Sequence, residues 1–329
     1  MKEKNSTIYY IKGLAVLSVI CAHCNAVLDA KNGFVKVCSL ILQNIGTVGV
    51  ICFFVISGML FHYKEGKMIM FFKKRIFSIC VPWFVSASCV YLYVYFRKPP
   101  LSFIGWINFL IGNGSYCYYL TMLMLCYFIF TFFSFMRTNL AFSICEIITF
   151  LSTIWFYQIG RISPYLNILN WIGYFGLGMQ LAIHPEIVKK MLKKLYQLRK
   201  IILAIYVIIF GLQICAGNGG SYWKGVNVVI SWLGAVVLIL FAMIMEKYRD
   251  YCLSRIIYWS GKESFYIYLW HMPVAGIVAR VMSYKKLTLF LLVRPIIVLL
   301  IMIMAYIMLK CILRKLNLNQ YYFIFGIER

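Results

Sequence analysis

Cys21, His23 and Cys24 interrupt the apolar run "SVICAHCNAV", residues 18 to 27. Two thiols and an imidazole at this spacing suggest a metal site or a redox pair, and helical phase argues against both. Cys21 and Cys24 share a helix face, but His23 points well away from Cys21, so the three cannot close around one ion, and no fourth ligand is evident. A thioredoxin-like dithiol needs a βαβ setting and a helix N-terminus. Haem attachment needs His directly after the second Cys, where Asn25 stands. No metal is therefore expected. What remains is an ionisable ring in an apolar run, and it has a partner eleven residues earlier, Lys12. At about 100° per residue the two are only about 20° out of register, with a rise of roughly 16 Å. Lys12 and His23 lie on one face, three turns apart.

Other polar groups sit in apolar surroundings at a similar level. His271 in "ESFYIYLWHMPV" lies nine residues beyond Lys262, a depth of roughly 13 Å in a helix. Pro273 cannot donate to the carbonyl of Leu269, so a kink with a carbonyl facing a cavity is expected there. In "FFVISGMLF", Ser57 and Gly58 lie about seven residues before Lys64, roughly 10 Å in. That pair suits close helix packing and equally a polar pocket. Ionisable groups in a bilayer interior are costly and mark functional sites by default, and an imidazole near neutral pH suits a general base. His62 and His184 fall at the ends of apolar segments and read as interfacial. Glu146 is either a base or a partner for a basic group. Lys73, Lys74 and Arg75 anchor topology and form a candidate anion site.

These residues need a membrane to hold them. Of 329 residues, 63% are hydrophobic and only 13% charged, against about a quarter charged in soluble domains. The formal charge of +24 does not point to nucleic acid, because Lys and Arg fall between apolar runs rather than on a folded polar surface. The expected fold is an all-α polytopic membrane protein, one transmembrane domain over residues 1–329, with the lipid bilayer as a partner. Taking about 20 apolar residues per span, the segments are 8–28, 38–62, 76–96, 117–136, 141–159, 165–184, 201–216, 222–245, 257–280 and 287–310. The stretch 101–113 is too short to cross and is read as interfacial or re-entrant. No small-x-small cleavage site follows the first segment before Lys31, so it is read as a retained helix. With ten spans the loops divide the basic residues into a set of 22, which includes Lys2, Lys4 and the runs at 64–75 and 189–200, and a set of nine. The positive-inside rule then places both termini in the cytoplasm. The twelve cysteines lie mostly in apolar segments, where a free thiol behaves as a small hydrophobe.

Four stretches, "IKGLAVLSVICAH", "FFVISGML", "KKRIFSICVPWF" and "SGKESFYIYLWHMPV", resemble in order and spacing the motifs of the integral-membrane acyltransferase 3 family. "YCYYLTMLMLCY" and "YFGLGMQ" are weaker echoes, and the likeness spans nearly the whole chain. The family pattern in the first helix is Asp, then Arg-Gly, then ten residues from Arg to a catalytic His. Tyr9 stands at the Asp position and Lys12 at the Arg position, while Gly13, Ala15 and His23 match. Lys keeps the charge and loses the planar bidentate fork. Tyr268, His271 and Pro273 match the late motif, and Arg75 with Pro82 the basic-to-proline segment.

The resemblance implies a bacterial enzyme of the cytoplasmic (inner) membrane. It would transfer an acyl group, in the first instance acetyl from acetyl-CoA, to a hydroxyl of a cell-surface or lipid-linked carbohydrate. In that reading His23 is the general base, Ser57 or His271 orients the thioester or stabilises its oxyanion, and Lys12 with Lys73, Lys74 and Arg75 meets the phosphates of CoA. The alternative is a transporter or glycan flippase, since buried polar residues and a proline kink also mark substrate pathways. A sensor or purely structural role ranks last, because no soluble domain is evident.

Overall fold

The computed structural model describes residues 6–24, 33–95, 101–284 and 288–327. The expected end of the first segment at 25–28, residue 96 of the third and residue 287 of the last lie outside them. So do the topology residues Lys2, Lys4, Lys31, Arg97, Lys98, Lys285, Lys286 and Arg329. Of the described residues 83% are helical, and no strand occurs among them.

Fifteen α-helices follow one another among these residues: α1 (Ser6–Cys24), α2 (Gly33–Gly46), α3 (Val48–Met59), α4 (Met68–Arg75), α5 (Val81–Tyr95), α6 (Phe103–Ile111), α7 (Tyr118–Phe132), α8 (Asn139–Trp155), α9 (Ile172–Ile183), α10 (Pro185–Gln197), α11 (Arg199–Cys215), α12 (Val226–Lys247), α13 (Cys252–Lys262), α14 (Ser264–Tyr284) and α15 (Arg294–Lys315). Among the described residues, six helical stretches are long and apolar enough to cross a bilayer: Ser6–Cys24, Gly33–Met59, Met68–Tyr95, Val226–Lys247, Ser264–Met282 and Phe290–Lys315. α10 and α11, bent by 70° at their junction, make a seventh if taken as one span, and α7, α8 and α9 are shorter apolar helices. The chain is thus a multi-pass helical membrane protein.

The expected segments differ from these helices where polar groups intervene. The segment 38–62 is broken at Thr47. There the Ser18 hydroxyl donates to the Ile45 carbonyl at 2.6 Å and accepts from the Gly49 N–H at 2.9 Å, so a side chain of α1 satisfies the backbone at the break. Over the first part of 165–184, ahead of α9, 3₁₀ turns occupy Pro164–Leu166 and Ile168–Asn170. Asn170 holds them by donating to the Tyr157 and Pro164 carbonyls, both at 2.8 Å. The stretch 101–113 holds only the nine residues of α6, too short to cross. Ser102 caps its start and Gly112, at φ 90°, ends it.

By contact the chain forms two compact units. The first comprises residues 1–53 and 186–307, and in it α1 packs against α2, α12, α13 and α14. The crossing with α13 is backbone on backbone. A Cβ added at Gly13 would lie 2.0 Å from the Ile257 carbonyl oxygen, and one at Gly261 would lie 1.7 Å from that of Tyr9. Buried Tyr10, Ala242 and Ile257 pack beside this crossing, with Tyr258 against them.

The second unit comprises residues 54–185 and 308–329. Here α3 and α9 cross at Gly58 and Gly178, each of whose added Cβ would lie 2.0 Å from a carbonyl oxygen of the other helix. Phe54 stacks on Trp171, with ring centroids 5.2 Å apart, and Phe130 stacks on Phe175, also at 5.2 Å. A π-helical turn, Ile76–Cys80, joins α4 to α5 without a loop.

Gly13→Ala or Gly261→Ala should therefore cost about 3 kcal/mol through forced separation of α1 and α13. Gly276→Ala, where nothing lies within 4 Å of the added carbon, should leave stability unchanged or slightly raised. Thermal melting of the purified variants in detergent distinguishes the two outcomes.

Candidate functional site

In the first unit α1 and α14 bring His23 and His271 side by side, with ring centroids 5.0 Å apart and planes inclined by 47°. His271 is fully buried and His23 partly so. The two sequence positions are 248 residues apart, so only the packing of α1 on α14 can make this pair. His271 Nδ1 lies 2.7 Å from the Tyr268 carbonyl oxygen. A carbonyl only accepts, so Nδ1 carries a proton, and in a neutral ring Nε2 is then the acceptor. α14 continues as helix through Pro273 to Tyr284.

Cys21 and Cys24 are buried, all twelve cysteines are free, and no cluster of three or more metal-ligating side chains occurs among the described residues. Arg294, the first residue of α15, is only 2% exposed and lies near enough to Cys24 to act on it electrostatically. Sequence reasoning gave it no role. The available signal was a single guanidinium at the head of a long apolar run. Glu263, between α13 and α14, is likewise buried at 3% exposure and was not singled out.

Lys12 is half-buried on α1, next to the crossing at Gly13. Toward the start of α1 there is an open polar cavity of about 720 Å³ lined by Ser6, Tyr10, Glu246, Arg249, Asp250 and Arg255, among others. The hydroxyls of Ser6 and Thr7 donate to the Glu246 carboxylate at its edge.

The remaining sequence candidates belong to the second unit. Ser57 lies 3.3 Å, hydroxyl to hydroxyl, from Tyr119, and Tyr119 meets Phe54 edge to face. Gly58 is a packing residue, and Ser57 carries the polar group of the pair. The Arg75 guanidinium lies over two rings, 4.7 Å from the Tyr127 centroid and 5.1 Å from that of Phe71, whose faces attract a cation. Lys73 and Lys74 are exposed on α4, and Lys73 with Lys67 and Tyr63 lines an open cavity of about 710 Å³. His62 is exposed after α3, His184 ends α9, and Glu146 is half-buried in α8. The candidates thus fall into two sets: Lys12, His23 and His271 in one unit, and Ser57, Lys73, Lys74 and Arg75 in the other.

Paired imidazoles within an apolar helix bundle can take and return a proton in surroundings that hold little water. Comparison with curated proteins and with solved structures finds no match. The model of the acyltransferase domain known as acyltransferase 3 matches residues 5–310, nearly the whole chain, and the chain belongs to that family.

Proposed function

We propose that this acyltransferase moves an acyl group, acetyl in the first instance, from acyl-CoA to a hydroxyl of a cell-surface or lipid-linked carbohydrate, with His23 as general base. The observation that carries the reading is the His23–His271 pair, whose rings lie 5.0 Å apart on two helices of a chain in this family. In the step proposed, the acceptor hydroxyl gives its proton to His23 and its oxygen attacks the thioester carbonyl carbon. The C–S bond then breaks, and the CoA thiolate leaves and takes the proton back.

His271 supports this step as an acceptor. With Nδ1 donating to Tyr268, its Nε2 is suited to orient a donor, either the acceptor hydroxyl or the His23 ring. A neutral ring in this tautomer cannot donate to an oxyanion from Nε2. The donor role is assigned to Ser57, and Lys12, Lys73, Lys74 and Arg75 are assigned to the phosphates of CoA. The topology proposed with this reading has ten spans and both termini in the cytoplasm of a bacterial inner membrane, so that the donor approaches from the side where CoA is made.

His23→Ala should lower transfer of labelled acetyl from acetyl-CoA by at least about a hundredfold in reconstituted vesicles, with melting temperature and membrane insertion unchanged. Full activity in that folded variant removes His23 as the base, and absence of CoA-dependent transfer in the native protein removes the donor.

Lys12→Arg should lower KM for acyl-CoA several-fold with little change in kcat, because a guanidinium grips phosphate oxygens two at a time. Steady-state release of CoA thiol measures both constants, and an unchanged or raised KM would separate Lys12 from donor binding.

A further inference from the structure

The junction of α10 and α11 carries a pattern that acyl transfer does not use. Wound at about 100° per residue, α10 divides cleanly. Ile187, Val188, Met191, Leu192, Leu195 and Tyr196 take one half of its circumference, and Lys189, Lys190, Lys193 and Lys194 take the other. Val188, Leu192 and Leu195 are half-buried, while Ile187 and Met191 are 61% and 41% exposed. Part of the apolar half therefore faces away from the protein. The four lysines are all exposed. One acidic residue, Glu186, accompanies them in the helix.

Such a helix lies along a membrane surface rather than across it, and the turn of 70° into apolar α11 provides that change of direction. At the bend Arg199 is held in place. Its guanidinium sits 4.4 Å from the Tyr196 ring centroid and donates to the Tyr196 carbonyl at 2.7 Å. Arg199 and Lys200 then form the polar edge of a groove of about 180 Å³ whose other walls are Leu203 of α11 and Val237, Leu240, Phe241 and Ile244 of α12.

We infer that this groove is a binding site for an anionic phospholipid of the surrounding bilayer. Its phosphate would meet Arg199 and Lys200, and part of an acyl chain would lie along Leu203, Leu240 and Phe241. The argument is one of matched chemistry in sequence along a single path: a fixed guanidinium and an ammonium at the level of the bend, an apolar slot directly below them, and a flanking helix whose exposed charge is cationic. A zwitterionic lipid offers the slot the same chain but meets six basic side chains, from Lys189 to Lys200, with no net charge. Free phosphate offers the charge without the chain.

The test uses full-length protein, delipidated in detergent and titrated with dioleoyl phosphatidylglycerol, dioleoyl phosphatidylcholine or inorganic phosphate, with bound lipid counted by native mass spectrometry. The native protein should hold phosphatidylglycerol at least about tenfold more tightly than phosphatidylcholine, with no competition from millimolar phosphate. Arg199→Ala with Lys200→Ala should abolish the preference. Leu203→Trp, which fills the slot and keeps both charges, should weaken retention of both lipids. Lys224→Ala, in the α11–α12 loop, should change neither. Should the Arg199 and Lys200 variant fold poorly, Lys189→Gln with Lys193→Gln, both exposed, should still reduce the preference several-fold. Equal retention of the two lipids by the native protein overturns the inference, as does an undiminished preference in a folded Arg199→Ala, Lys200→Ala variant.

Discussion

Helices inside a bilayer gain little from hiding apolar surface, since lipid tails are as apolar as leucine, so close packing and polar contact must hold them together. In the first unit this constraint falls on α1. It meets α13 at Gly13 and Gly261, where either missing side chain would lie within 2.0 Å of a carbonyl oxygen, and it meets the break between α2 and α3 through Ser18. Contacts on different sides of one helix fix its rotation as well as its position. The facing of His23 toward His271 follows from that rotation, because a turn of α1 by one residue would carry the imidazole about 100° away.

The same economy governs the polar groups. Where backbone groups lose their helical partners, a hydroxyl or amide of a neighbouring element takes their place, as Ser18 does at Thr47 and Asn170 does at the 3₁₀ turns. Thr149 serves the second unit in this way, donating to the Leu169 carbonyl at 2.7 Å and accepting from the Gly173 N–H at 2.8 Å. Cations are treated differently. Arg75 and Arg199 lie over aromatic rings, which attract the charge while leaving N–H donors for other partners. Arg137 combines the two devices: it lies 5.0 Å from the Tyr63 ring centroid, pairs with Glu65 at 2.9 Å and donates to the last carbonyls of α7.

Much of the helical plan is legible in the sequence because apolar runs are its strongest signal. Periodicity within α1 puts Lys12 and His23 on one face, and counting from Lys262 puts His271 at a similar depth. The breaks are less legible. Thr47 sits in a run whose average hydropathy stays high, and only a partner elsewhere in the chain, Ser18, makes a break there tolerable. Nor does periodicity single out Arg294. Its burial is a matter of tertiary packing, and Cys24, near enough to feel its charge, lies far away in the sequence.

The tautomer of His271 bears on how the pair divides its work. The two imidazoles, 5.0 Å apart, are alike in type, and Tyr268 engages Nδ1 of His271. His271 Nε2 thereby has a fixed direction, while His23 is half-buried at the penultimate position of α1. In the function proposed above, the moving proton belongs to His23 and the fixed orientation to His271.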